Sequence, residues 1–256
     1  MKNLILRIFR KFFPAIYWKL YACSQNKNEE SKYLIWLCDE INATKSFVEF
    51  GFGVFEFNSV SLVRAGFKGL LLDGGKKNCR LANLIFKRLK LDVKALCHWI
   101  EIKTLDPIIY FVSRLNGKIG VLNVDVDGND YWILKELLKK ISPDVICVEY
   151  NASFELRSIS TSYKSDFDRH TEDPSGWYHG ASITAFYNLL QSNYFLVKNI
   201  AGVNIIFVKK EKMTDKLKAL TCDKAWSEPY LRNKWSDTNT KQQWDKIKHL
   251  KFEIID

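Results

Sequence analysis

Between residues 47 and 150 the chain alternates short apolar runs with stretches of helical spacing, and this rhythm restricts the fold more than any other feature. The runs are Phe47-Val48-Glu49-Phe50, Gly69-Leu70-Leu71-Leu72-Asp73, and residues 94–100, 120–126 and 144–150. Helical stretches at 58–65, 77–89, 105–114 and 131–140 separate them, with Pro107 at the one place a helix tolerates it, the first turn. Strands alternating with helices need right-handed crossovers, which give a mostly parallel sheet covered by helices on both faces. A helix over 181–193 then precedes two more apolar runs, Phe195-Leu196-Val197-Lys198 and residues 203–208. The Asn199-Ile200-Ala201-Gly202 between them predicts an antiparallel hairpin. The expected fold is α/β, a mostly parallel seven-stranded sheet with an antiparallel terminal hairpin. Residues 151–180 are polar and irregular, too long for a passive connector, and are expected to carry function.

The 256 residues divide into three parts: a basic amphipathic helical extension (1–40), the α/β domain (41–210), and a tail (211–256) expected to pack back on it. Charge separates the parts as well. Of the net +10, residues 1–28 contribute +6 through Lys2, Arg7, Arg10, Lys11, Lys19 and Lys27, with no acid. Residues 29–210 carry 23 bases and 21 acids, so the body is nearly neutral. A nucleic-acid binder carries its basic stripe on the folded body, so nucleic acid is not an expected partner. In the extension, Leu4, Ile5, Ile8, Phe9, Phe12, Phe13, Ile16, Tyr17, Leu20 and Tyr21 recur at helical spacing among the bases, and Pro14 predicts a split into two helices. Two readings stand: an anchor on an anionic membrane surface, or a helix packed on its own domain or a partner.

No run of roughly eighteen apolar residues predicts a spanning helix. The N-terminus, its apolar residues broken by charges, does not read as a signal peptide. The six cysteines form no CxxC pair, and Cys97 and Cys147 lie in apolar runs, the usage of reduced cysteines as small hydrophobes. A cytoplasmic location is expected, at the inner face of the membrane if the extension binds lipid.

Three constellations carry chemistry. Gly51-Phe52-Gly53 follows the first strand, and Asp73 closes the second about twenty residues later, the spacing of a nucleoside site. A dinucleotide fingerprint wants a third glycine where this chain has Glu56, and a carboxylate repels a pyrophosphate. S-adenosylmethionine has no phosphate, and its ammonium and sulfonium suit acidic surroundings. The second constellation is Asn123-Val124-Asp125-Val126-Asp127-Gly128-Asn129-Asp130-Tyr131-Trp132 after the fourth strand. Glu136 is twelfth from Asp125, as in a calcium loop, but the glycine required at the sixth place is absent. Asn129 or Asp130 reads as a helix N-cap, which leaves Asp125 and Asp127 where an open sheet puts its ligands. In the third, Glu149 leaves the fifth strand facing Asp125. That pair suits a magnesium ion, a substrate hydroxyl, or mutual elevation of pKa. His179 ends the long loop, which also holds Arg157, Arg169 and His170, either contacts for an acidic substrate group or solvated surface.

On Val48-Glu49-Phe50-Gly51, the 122–132 segment and Val148-Glu149-Tyr150-Asn151-Ala152, the chain resembles an FkbM-type class I S-adenosylmethionine-dependent methyltransferase over about residues 47–208. It has Gly51-Phe52-Gly53-Val54-Phe55-Glu56 in place of that family's more glycine-rich loop. The resemblance implies a Rossmann-like fold in which Glu49, Gly51 and Gly53 line the methionine end of the cofactor. Phe50 and Gly74 add contacts, Asp73 binds the ribose, and Glu101 and Ile102 lie near adenine. Asp125 would face the transferred methyl. Related sugar O-methyltransferases hold magnesium at positions that map to Asp125 and Glu149.

The expected function is methyl transfer to a sugar hydroxyl in surface-glycan synthesis (lipopolysaccharide, O-antigen or capsule). The acceptor would be a small molecule or a lipid-linked glycan, with His179 or Asp125 as base and oligomerisation left open. A nicotinamide-dependent sugar oxidoreductase or epimerase is the rival enzyme; it predicts a Tyr-x-x-x-Lys pair near the nucleotide. A non-catalytic module recruiting a glycan or membrane enzyme is the rival from another class.

Overall fold

The computed structural model describes residues 2–22 and 28–256, so Cys23 and Lys27 lie outside the described residues. Its strands are β1 (Ser46–Phe50), β2 (Lys68–Asp73), β3 (Val93–Cys97), β4 (Val121–Val124), β5 (Val145–Glu149), β6 (Ile159–Thr161), β7 (Tyr194–Ile200), β8 (Asn204–Lys209) and β9 (Phe252–Ile254). Seven form one sheet in the order β3-β2-β1-β4-β5-β8-β7. The first five in sequence are mutually parallel, and β8 runs antiparallel to both β5 and β7. This is the expected mostly parallel sheet with its terminal hairpin. The chain builds outward from β1 to β3, then crosses to β4 on the other side, so the carboxyl ends of β1 and β4 flank a crevice where an open sheet binds ligands.

The helices are α1 (Lys2–Phe12), α2 (Pro14–Tyr21), α3 (Asn28–Glu40), α4 (Val60–Arg64), α5 (Lys76–Leu89), α6 (Asp106–Ser113), α7 (Asp130–Leu137), α8 (Arg169–Glu172), α9 (Ile183–Leu190), α10 (Cys222–Ala225), α11 (Tyr230–Ser236) and α12 (Thr240–Ile247). Strand side chains alternate between two cores, as the period of two demands. Phe47, Leu71, Val121 and Cys147 meet Trp18, Leu37, Leu62 and Phe86 from α2–α5. Val48, Phe50, Leu70, Leu122 and Val148 meet Ile108, Leu134 and Phe186 from α6, α7 and α9. Both faces being covered explains why the central strands read as unbroken apolar runs.

The structure departs from the sequence reading in four places. β3 stops at Cys97 and β4 at Val124, so His98-Trp99-Ile100 and Asp125-Val126 are released as loop at the carboxyl edge. Cys97 is exposed on the edge strand instead of buried as a small hydrophobe, whereas Cys147 on central β5 is buried. The 151–180 segment contains β6 and α8; β6 pairs with β9 at the far end of the chain, Ile159 opposite Ile254 and Thr161 opposite Phe252. A three-residue strand with so distant a partner leaves no periodicity to read. Of the two N-cap candidates Asn129 takes the position, without a side-chain cap bond, while Asp130 in the first turn of α7 accepts N–H bonds from Val126 (2.8 Å) and Gly128 (2.9 Å), holding the loop behind it.

Gly51 turns the chain out of β1 with φ +66°, and a Cβ there would lie 1.7 Å from the Asp125 carbonyl oxygen. The β1 and β4 exits therefore touch only because residue 51 has no side chain. Gly51→Ala should lower stability by more than about 2 kcal/mol in urea unfolding, since it adds both left-handed strain and overlap.

Candidate active site

The carboxyl ends of β1, β2 and β4 enclose a cavity of about 420 Å³, lined by Gly51, Asp73, Gly74, His98-Trp99-Ile100, Asp125-Val126-Asp127 and Asn129. Residues 167–170, from the loop after β6, complete it. The volume suits a small molecule. Asp73 sits at the floor with Oδ1 accepting from the Gly75 N–H at 2.7 Å. Beside it Trp99 stands as a wall, its indole N–H donating to the Ser165 carbonyl at 3.0 Å. The loop is clamped over the mouth by the 122–132 segment. Asn129 Nδ2 donates to the Lys164 carbonyl (2.7 Å) and Trp132 Nε1 to the Thr161 carbonyl (2.8 Å).

Glu49 takes a different place from the one expected of it. It is 1% exposed, and its two oxygens accept from the Asn58 (2.7 Å) and Ser59 (2.8 Å) N–H groups at the entrance to α4. The alternation of β1 turns it to the face of α4, with Asn123 of β4 beside it at 3.4 Å. Phe50 points to the opposite face and is core. Gly53 closes a tight turn with Glu56 through reciprocal backbone bonds of 3.2 and 2.9 Å, and Asn78 of α5 pins that turn by accepting from Val54 N–H at 3.1 Å. Glu101 caps the short helical turn that follows it, with Thr104 reciprocating, and neither it nor Ile102 lines the cavity. That wall is Trp99 and Ile100, because β3 ends early. Of the expected cofactor contacts, Gly51, Asp73, Gly74 and Asp125 line the cavity.

Asp125, Asp127 and Glu149 each bring one oxygen within 4.8 Å of the others'. Two guanidiniums balance them. Arg232 of α11 donates to Glu149 at 2.5 Å, and Arg169 of α8 donates to Asp127 at 2.7 Å. Burial and then Asp125 push the Glu149 carboxyl up, against the pull of Arg232. Burial, and Asp125 after it, push Asp130 up to about 7, against its two N–H bonds. Arg232 escaped the sequence reading because nothing in the tail's composition marks one arginine among ten bases. Arg169 and His170 do reach the cavity, whereas Arg157 stacks on Trp244, 4.2 Å from the ring centre.

His179 does not line the cavity. It is 2% exposed, with Nδ1 3.4 Å from the Asn151 amide and Nε2 buried without a hydrogen-bond partner. Burial, then Arg169 and Arg232, hold its pKa well below the ordinary 6.5. It is a neutral packing residue behind the acidic cluster.

No protein-family model matches the sequence, and no curated protein matches it. Solved structures do. An S-adenosylmethionine-dependent methyltransferase from Clostridium acetobutylicum is 13% identical, with 81% of this chain and 98% of that one covered at a TM-score of 0.48. An O-methyltransferase from Bacillus cereus, in complex with SAH, is 15% identical, covering 80% and 97% at 0.45. The N-terminal domain of EvdMO1, crystallised in the presence of SAH and D-fucose, is 14% identical, covering 72% and 84% at 0.46. The strand order, with β8 antiparallel between β5 and β7, is that of a Rossmann-like α/β sheet closed by an antiparallel hairpin.

Arg232→Met leaves Glu149 as a buried unpaired carboxyl and should cost about 3 kcal/mol. Adding Glu149→Gln should recover part of that loss, so a double-mutant cycle by urea unfolding will show strong coupling. The unfolded chain protonates His179 as pH falls below 6.5 and the folded chain does not, so the wild type loses stability on that acid side. Asp130 has the opposite sign, losing stability as pH rises toward about 7. The difference between wild type and His179→Gln isolates the histidine: the wild-type Tm should fall further than the variant's between about pH 7 and 5.5.

Proposed function

We propose that this chain is an FkbM-type S-adenosylmethionine-dependent methyltransferase acting on a hydroxyl of a sugar. The observation that carries the reading is what fills the N-terminal end of α4. A dinucleotide site uses the N–H groups after its first strand to cradle pyrophosphate. Here those of Asn58 and Ser59 are already bonded to the buried Glu49 carboxylate, and the closed Gly53–Glu56 turn separates the strand from the helix. A cofactor without phosphate suits such a loop. This argues against the nicotinamide enzyme that also fits a Gly-x-Gly and a distant acid.

When bound, S-adenosylmethionine supplies an electrophilic methyl carbon on a cationic sulfur. Gly51 lets that part of a ligand approach the backbone, Asp73 accepts from ribose hydroxyls, and Trp99 offers a flat apolar face to a purine. A sugar hydroxyl is a weak nucleophile and needs its proton accepted. Of the two bases suggested by the sequence, His179 is buried behind the cluster, so Asp125, which lines the cavity, takes that role in the proposal. Asp127, Arg169, Asp168 and His170 form a polar rim with Phe167 beside them, a combination that pairs hydroxyls with donors and acceptors and covers an apolar sugar face. Asp125, Asp127 and Glu149 are hard oxygen donors near enough together to hold magnesium, which would polarise the acceptor oxygen. The acceptor in this reading is a small or lipid-linked glycan.

Calorimetry should give binding of S-adenosylmethionine and of its demethylated product, and none of NAD. The reverse result overturns the proposal. With a sugar acceptor, Asp125→Asn should reduce kcat about a hundredfold or more while cofactor binding survives. If magnesium takes part, a chelator lowers wild-type turnover and Asp127→Asn removes the response to added magnesium.

A further inference from the structure

The basic extension has two faces, and the fold uses only one of them. α1 folds back against α2, with the Phe9 ring centre 5.7 Å from Phe13, 6.2 Å from Tyr17 and 6.5 Å from Tyr21. The arm docks on the body through Trp18, which is buried, edge-on to Phe86 of α5 at 5.8 Å. Arg64 lies 5.5 Å over the Trp18 ring and donates to the carbonyls of Trp18, Lys19 and Ala22. Tyr17 meets Phe55 of the loop after β1, edge-on at 5.2 Å. The arm is therefore fixed to the domain, beside the turn that follows the first strand.

The outer face is bare. Ile8, Phe12, Ile16 and Leu20, spaced by four, are 50%, 66%, 49% and 60% exposed, and Phe13 is 54% exposed. Arg7, Arg10 and Lys11 flank that face on the side toward the body, with Arg10 5.4 Å from the Phe55 ring centre, Lys19 is exposed, and residues 1–28 contain no acid. The first three of these bases line a groove between α1 and the body, with Phe55, Asn78 and Leu81 on its other side. Five large apolar side chains held in water by a docked element are costly unless something covers them.

We propose that this arm seats the protein on an anionic lipid bilayer. Phe12, Phe13, Ile16 and Leu20 enter the acyl boundary, and Arg7, Arg10, Lys11 and Lys19 meet lipid phosphates. Charge selects this occupant. A second copy of the chain would bring the same cations against them, whereas an anionic membrane offers the opposite charge and an apolar medium that needs no matching shape. Among the described residues no helix is long and apolar enough to cross a membrane, so the association is peripheral. Because the arm packs on Phe55, the lipid-facing surface adjoins the carboxyl edge of the sheet. The inference stands apart from the methyltransferase reading.

Co-sedimentation of the full chain with vesicles rich in phosphatidylglycerol, and with phosphatidylcholine alone, tests it. Binding is expected to the anionic vesicles and to weaken as salt is raised. Two triple variants, Phe12→Ser/Ile16→Ser/Leu20→Ser and Arg7→Glu/Lys11→Glu/Lys19→Glu, should each bind about tenfold or more weakly with Tm unchanged, since the altered side chains are exposed and Arg10, which lies over Phe55, is kept. Failure of the wild type to sediment with anionic vesicles overturns the proposal. So does wild-type binding by either variant, or a shift from dimer to monomer on gel filtration caused by the serine variant, which would make the face a contact between copies.

Discussion

The buried carboxylate of Glu49 organises the ligand-binding edge of this sheet. One side chain on β1 satisfies the backbone at the start of α4, lies against Asn123 of β4, and thereby fixes the loop between the first strand and its helix. A charge-assisted bond to N–H groups is among the stronger ones a fold can make, and burial removes the competing water. The same bonds decide what the loop cannot do. With the Asn58 and Ser59 N–H groups held by a protein carboxylate, and that of Ser61 by the Ser31 hydroxyl, this helix end is poorly suited to a pyrophosphate, so the nearby glycines serve another approach. Gly51 then brings the β1 exit into contact with the backbone of Asp125, and the floor of the cavity follows from that contact.

Around this floor the structure assembles acids from neighbouring strand ends and answers them with arginines from distant segments. Asp127 meets Arg169 from the long loop, and Glu149 meets Arg232 from the tail. Carboxylates crowded at a sheet mouth would repel one another and resist burial, so the cations from α8 and α11 are what let them stay close. The tail is tied down by neutral contacts too: Tyr150 Oη donates to the Ser227 carbonyl at 3.1 Å, and Ser153 Oγ to Gln243 Oε1 at 2.6 Å. Loop and tail thus complete the site that the sheet begins, and the pairing of β6 with β9 joins them to each other.

Much of this arrangement is legible in the chain. The alternation of apolar runs and helical stretches yields the parallel sheet, and the run Asn199-Ile200-Ala201-Gly202 yields the hairpin. Gly51, Asp73 and Glu149 follow or close their apolar runs, and Asp125 falls near the end of the fourth, although that strand stops at Val124, two residues before the run does. Errors arise where direction matters more than position. Glu49 sits one residue from Phe50, yet they point to opposite faces and neither lines the cavity, a consequence of the twofold period of β1. His179 had the chemistry of a base, but loop packing turned it into the interior.

By itself the sequence determined the fold class, the strand ends that supply the acids, and the uneven distribution of charge, because each is a local property of composition and period. Tertiary structure alone decided that Glu49 caps α4, that Trp99 walls the cavity, that Arg232 answers Glu149, and that the basic arm buries Trp18 while leaving Phe12 and Leu20 bare. Those facts depend on contacts between segments up to 83 positions apart, as between Glu149 and Arg232, and no local pattern encodes which of ten tail bases will face a buried acid.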